Sequence, residues 1–112
     1  MDEVLSAEHQ LVLNLERLIE VRFRRMALPR FYARACGLSL PVLNKVCVKH
    51  RGMPVSALIS LRVIREARFL LSATTLPAAS IAYELGFKDP SYFCRYFKRL
   101  TGMTVLEYRR RS

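Results

Sequence analysis

Ser91, Cys94, Arg95 and Lys98 recur at helical spacing, interleaved with Phe93, Tyr96, Phe97 and Leu100. On one helix the aromatic set falls at i, i+3, i+4, i+7 and forms a buried face, and the polar set lies on the opposite side. A guanidinium there can donate two parallel hydrogen bonds to guanine O6 and N7. A serine hydroxyl can reach a base edge or a phosphate, and an ammonium acts as a point charge for phosphate. A solvated helix face has the same composition, so the residues ahead of it matter. Gly86-Phe87 supplies a tight turn, and Asp89-Pro90 places a capping residue before a proline at the first helical position.

The same layout occurs earlier in the chain. Gly37-Leu38, a short polar turn, an apolar-periodic segment and Gly52-Met53 match Gly86-Phe87 through Gly102-Met103, and Leu28-Pro29 matches Leu76-Pro77. The offsets are 48 at Leu-Pro, 49 at the first glycine and 50 at the second, so the copies differ by single-residue insertions. A period near 50 means two similar units, each helix, glycine turn, helix, which is the sequence shape of a helix-turn-helix. In the first unit Leu43, Val46 and Cys47 are expected inside, with Pro41, Asn44, Lys45 and Val48 outside. Asn44 could read adenine N6 and N7, Lys45 could reach guanine, and Pro41 and Val48 could touch thymine methyls. This face is poor in charge, so its share of sequence readout is expected to be small.

Both faces need a helical frame. Ser6 to about Arg25 reads as a first helix, with Leu11, Leu15, Leu18 and Ile19 on one face. Pro29 opens a short helix to about Cys36, and Ser39 is placed to cap the next, which runs to about Arg51. Val55 to about Ala73 is a long stretch without a breaker, carrying Arg62, Arg65 and Arg68. Its length of ~27 Å is close to the ~34 Å turn of B-DNA. A helix from Pro77 to Leu85, one from Asp89-Pro90 to Leu100, and a last short one capped by Thr104 and ending in Arg109-Arg110-Arg111 complete the chain. No alternating strand-like run occurs, so the expected class is all-α. The expected organisation is a subdomain at 6–53, a linker helix at 54–73 and a second subdomain at 74–112.

Composition narrows the function. The formal net charge is +10, unevenly placed: residues 1–20 hold five acids (Asp2, Glu3, Glu8, Glu16, Glu20) against Arg17, and the remainder holds 18 bases and four acids. Such a surface seeks a polyanion, the commonest being a phosphate backbone. A hydrophobic fraction of 52% supports a core. No apolar run reaches the ~18–20 residues needed to span a membrane. Asp2 and Glu3 stand where a signal peptide would be positive, so the expected location is cytoplasmic. Cys36, Cys47 and Cys94 contain no CxxC pair, which argues against a zinc or disulfide framework. His9 and His50 read as lone histidines, and Glu84 and Glu107 as solvated or capping carboxylates rather than an acid/base pair. No catalytic constellation, phosphate loop, cofactor site or metal site is expected.

The strings Ala67-Arg68-Phe69-Leu70-Leu71-Ser72, Ile81-Ala82-Tyr83-Glu84-Leu85-Gly86-Phe87, Asp89 through Arg99, Thr101-Gly102-Met103-Thr104 and Glu107-Tyr108-Arg109-Arg110 resemble the C-terminal DNA-binding domain of the AraC/XylS bacterial transcription regulators. The resemblance continues more loosely back to about Leu11. It implies seven helices, forming two helix-turn-helix subdomains joined by a long linker helix. It places base-reading positions on Pro41, Asn44 and Lys45 in the first unit and on Pro90, Ser91, Cys94 and Arg95 in the second. Phosphate candidates are Ser39, Lys49, Arg51, Lys98, Arg99, Arg109, Arg110 and Arg111. The chain departs from the family pattern at Val55 and Val105, where proline is usual, at Cys47 and Val48 in the first recognition helix, and at Val63.

The expected function is therefore sequence-specific binding of double-stranded DNA by a transcription regulator, most often an activator, reading two successive major-groove segments as a monomer. RNA polymerase is the further expected partner, and no membrane contact is expected. A basic helical module that binds an acidic protein or RNA is the alternative. Sensor domains of this family usually lie N-terminal to such a domain; these 112 residues have no room for one, so the chain is expected to be either a stand-alone short member or a fragment of a longer regulator.

Overall fold

The computed structural model describes residues 6–112; Asp2 and Glu3 lie outside the described residues. The described chain is all-α. Its helices are α1 (Ala7–Arg22), α2 (Pro29–Ala35), α3 (Leu40–Arg51), α4 (Val55–Ala73), α5 (Ala78–Glu84), α6 (Pro90–Thr101) and α7 (Val105–Arg111). A 3-10 turn, Phe23–Arg25, occupies what the sequence suggested as the end of the first helix. Contacts divide the chain into two compact units. The first takes the chain up to Arg22 together with Ala27–Ser60, and the second takes Phe23–Met26 and Leu61–Ser112. Residues 55–60 of α4 thus belong to the first unit and 61–73 to the second.

In the first unit α1, α2 and α3 pack against one another. Their core is Val12, Leu15 and Ile19 from α1, Tyr32 and Ala33 from α2, and Leu43, Val46 and Cys47 from α3, with Val55. The α1 stripe is thus centred on Val12, Leu15 and Ile19; Leu11 and Leu18, expected inside, flank it half-buried. Gly37 turns the chain at φ +73. Leu38 N donates to Ala33 O at 3.0 Å and Gly37 N to Arg34 O at 3.0 Å, closing the end of α2. Ser39 stands at the N-cap of α3, but its side chain makes no capping bond, contrary to expectation. A capping oxygen bonds the N–H of the second or third helical residue; Pro41 removes the first of these, and the Ser39 side chain does not take the second, Val42 N.

The second unit repeats this turn. Phe87 N donates to Ala82 O at 3.0 Å and Gly86 N to Tyr83 O at 3.0 Å. Proline sits one position earlier, at Pro90, so Asp89 caps Ser91 N at 3.0 Å. Phe87 packs tilted against Phe93 and edge-to-face against Tyr96, both with centroids 5.2 Å away, and Phe97 meets Tyr108 edge-on at 5.8 Å. Phe93, Tyr96 and Phe97 are buried as expected, whereas Leu100 is 44% exposed. It lies in the last turn before Gly102, and the covering Tyr108 ring sits over Phe97 instead. Thr104 and Glu107 form a reciprocal capping box at the start of α7, with bonds of 3.0 and 2.8 Å. The Thr104 amide and hydroxyl hold the Glu107 carboxyl below the ordinary carboxylate range.

The segment Phe23–Met26 completes the second unit. Phe23 is buried beneath the Arg62 guanidinium, 4.1 Å above its ring. Arg24 pairs with Glu66 at 2.8 Å and Glu84 at 3.4 Å, and Arg62 with Glu66 at 3.1 Å. Gly86 has φ +93, and a Cβ there would overlap the Arg24 carbonyl, so only glycine fits.

Candidate nucleic-acid interface

The outward face of α6 is fixed by its opposite. With Phe93, Tyr96 and Phe97 anchored, Ser91, Arg95, Lys98 and Arg99 are exposed, while Pro90 and Cys94 are half-buried. Tyr92 is exposed beside them, its ring 6.0 Å from the Arg95 guanidinium, and Arg99 lies 5.5 Å from the Tyr96 ring. Among the described residues no carboxylate pairs with Arg95, Lys98 or Arg99. The helix therefore presents a hydroxyl, a thiol, a planar donor fork and point charges on one rigid face, with no ion pair to break; the nearest anion is Glu107, which feels the Lys98 charge without pairing with it.

The outward face of α3 differs in kind. Pro41 and Lys45 are exposed and Val48 is 50% exposed. Asn44 is half-buried, and its Oδ1 accepts the Val55 amide at 3.0 Å. That bond caps the start of α4 inside the first unit, where Pro54 stands in place of the second unit's capping Thr104. A bidentate reading of adenine needs this same oxygen as acceptor.

The phosphate candidates separate into engaged and open groups. Arg51 grips Glu16 through Nε at 2.8 Å and Nη2 at 3.0 Å, and donates to His50 O. Lys49 pairs with Glu8 at 3.0 Å, an exposed and solvent-screened contact that a phosphate could displace. Arg109 donates to the carbonyls of Leu71, Leu76 and Thr74, closing the C-terminal end of α4. Ser39, Lys98, Arg99, Arg110 and Arg111 are exposed; Arg111 touches the Met103 sulfur at 3.8 Å.

Sequence reading missed several side chains. His9 and His50, expected to be lone, are neighbours, their rings tilted at 54° with centroids 4.8 Å apart, and His50 Nε2 lies 3.1 Å from Glu8. The fold brings together groups 42 residues apart, which spacing alone cannot reveal. The His50 hydrogen bond, then Lys49, holds the Glu8 carboxyl below its ordinary range. Among the described residues no group of three or more His, Cys, Asp or Glu side chains is arranged for a metal. Burial raises the thiol pKa values of Cys36 and Cys47. Arg30 and Arg34, both exposed on α2, were also overlooked; their i, i+4 spacing was visible in the string Pro29–Ala35.

A helix-turn-helix domain family profile matches residues 32–111. The chain is 32% identical over 110 residues to the HTH-type transcriptional regulator GlxA of Rhizobium meliloti (strain 1021), covering 98% of this chain and 34% of that protein. It is 44% identical over 46 residues to the arabinose operon regulatory protein of Escherichia coli K12, covering 41% of this chain and 16% of that one. The chain thus spans about a third or less of the length of these relatives. Among solved structures, the C-terminal domain of AraT, a response regulator from Geobacillus stearothermophilus, superposes with a TM-score of 0.86 at 25% identity, covering 96% of this chain and 89% of that one. The xylose-binding transcription activator XylR superposes with a TM-score of 0.75 at 25% identity, over 97% of this chain and 28% of that one.

Proposed function

The chain belongs to the AraC/XylS family of helix-turn-helix regulators, and from that premise we propose that it binds double-stranded DNA in a sequence-specific manner to regulate transcription, as an activator. The observation that carries this reading is the unpaired polar face of α6, held outward by a buried aromatic stripe behind the Gly86 turn. Arg95 is the principal base reader, with Ser91, Cys94 and Pro90 beside it. Pro41, Lys45 and the amide hydrogens of Asn44 are the base-facing groups of α3. Ser39, Lys49, Lys98, Arg99, Arg110 and Arg111 are the phosphate contacts, joined by Arg51 and Arg109 where the backbone approaches their outer edges. The family's chemistry is binding rather than catalysis. The domain works as a monomer in the cytoplasm, and its further partner is RNA polymerase. No helix among the described residues is long and apolar enough to cross a membrane.

Gel shift at low salt, with labelled duplex and unlabelled random duplex as competitor, tests the proposal. Binding that survives the competitor is expected, with log K falling against log salt at a slope of about −5 to −7 for 6–8 phosphate contacts. Retention of RNA or an acidic protein with no duplex binding would establish the alternative instead.

A further inference from the structure

The two units share a backbone and not a surface chemistry, and the difference assigns them different work. On α6 Arg95 and Arg99 have no carboxylate partner, and Lys98 acts on the Glu107 carboxylate only through space, with no ion pair. On and beside α3 the polar groups are engaged: Asn44 with Val55 N, Lys49 with Glu8, Arg51 with Glu16. Lys45 remains, next to the apolar Pro41, Val42 and Val48. A surface of this kind has little with which to distinguish one base pair from another.

The first unit carries its open charge elsewhere. Arg30 and Arg34 lie one turn apart on α2, both exposed, and no carboxylate pairs with either among the described residues. Together with Ala33, Leu38 and Leu40 they line a shallow depression of about 340 Å³ beside the turn into α3. Aligning Gly37 with Gly86 sets Arg30 against Ala79 and Arg34 against Tyr83. The corresponding surface of α5 therefore has no cation, and its only charged residue is Glu84. The basic pair belongs to one copy of the repeat and not the other.

Resting on the DNA-binding reading above, we propose that the first unit is a backbone clamp in which Arg30 and Arg34 hold phosphates of the duplex, while base selection is made by α6 of the second unit. The occupant is a phosphodiester backbone because the depression is continuous with the start of α3, the surface that faces DNA in that reading, and because two unpaired guanidiniums one helical turn apart match consecutive phosphates by charge. An exposed arginine without a partner has no structural duty to lose, so its replacement reads function directly.

The test uses the full chain, the duplex it selects from a random pool, and a scrambled duplex of equal length. Arg30→Ala/Arg34→Ala should weaken both duplexes by a similar factor of about tenfold or more and reduce the salt slope by about 2, with the ratio between them changed less than about twofold. Arg30→Lys/Arg34→Lys should restore most of the binding. Ser91→Ala/Arg95→Ala should cut the ratio at least about tenfold. Normal affinity and slope in Arg30→Ala/Arg34→Ala would overturn the clamp while leaving DNA binding intact, and so would its loss of retention on immobilised polyglutamate with DNA binding unaltered. A collapse of the ratio in Arg30→Ala/Arg34→Ala, or an unchanged ratio in Ser91→Ala/Arg95→Ala, would overturn the division of labour. Failure of the unaltered chain to bind any duplex would remove the DNA reading itself, and the clamp with it.

Discussion

Tyr32→Phe should make the first unit more stable. Tyr32 is fully buried in α2 and its hydroxyl has no hydrogen-bond partner. In the second unit the matching position is Ile81, also fully buried, so the frame is built for an apolar side chain. A buried hydroxyl left unpaired costs about 1–3 kcal/mol relative to its hydrated state in the unfolded chain. Deleting one oxygen leaves a void costing a few tenths of a kcal/mol, roughly, at the measured price of cavity volume. The net gain is about 1–2 kcal/mol. Urea unfolding reads it as a higher midpoint at constant slope. pH provides a second arm. Burial pushes the Tyr32 ionisation above its ordinary value of 10.0, with Arg22 acting weakly the other way. A group with a raised folded pKa contributes stability that is full below its unfolded pKa and is lost as pH rises beyond it. The unaltered chain should therefore lose ground to Tyr32→Phe above about pH 10. A Tyr32→Phe protein less stable by more than about 0.5 kcal/mol would show that the hydroxyl has a partner, and would refute the reasoning.

Four further outcomes follow from the geometry. Arg95→Ala should cost about 1–3 kcal/mol on the preferred duplex and relax choice at one or two bases, whereas Lys98→Ala should weaken all duplexes alike; competition shifts with single-base variants separate the two. Phe97→Ala should destabilise the second unit by about 3–5 kcal/mol in thermal or urea melts, because its fully buried ring packs against Phe93 and Tyr108. Gly86→Ala meets the Arg24 carbonyl and should exceed about 4 kcal/mol, while Gly37→Ala, whose added carbon meets nothing, should cost about 1–2 kcal/mol of backbone strain; equal losses would deny the close approach. Footprinting should show one chain protecting an asymmetric site of roughly 15–20 bp, and a strictly palindromic site requiring two chains would contradict monomeric engagement of the duplex by both units.

The helices and their punctuation were legible because local chemistry dictates them. Pro29 and Pro90 open helices, Gly37, Gly52, Gly86 and Gly102 all take positive φ, and α4 falls on Val55–Ala73 as its unbroken pattern suggests. The outward face of α6 was legible because the aromatic stripe behind it is strong. What could not be read is whatever depends on partners far away in sequence. Whether Arg51, Lys49 and Arg109 stand open or engaged is decided by Glu16, Glu8 and the carbonyls at the end of α4. The same holds for the His9–His50 ring contact and for Asn44, whose oxygen turns from the outward surface to a helix end.

The duplicated stretch and the piece that folds are different cuts of the chain. The repeat runs from Leu28 to Met53 and again from Leu76 to Met103, yet the second unit walls its Gly86 turn with Phe23–Met26, which precede the first copy. Cutting within α4 would therefore not liberate a self-sufficient reader. A fragment beginning at Leu61 would lack the Phe23 ring beneath Arg62, the Arg24 bridge between Glu66 and Glu84, and the carbonyl against Gly86. Grafting the second reading head onto another protein requires that four-residue piece to travel with it, supplied on the same chain or as an added peptide. As heritable material the two heads are a tandem pair; as foldable material the second cannot be lifted out at a single cut.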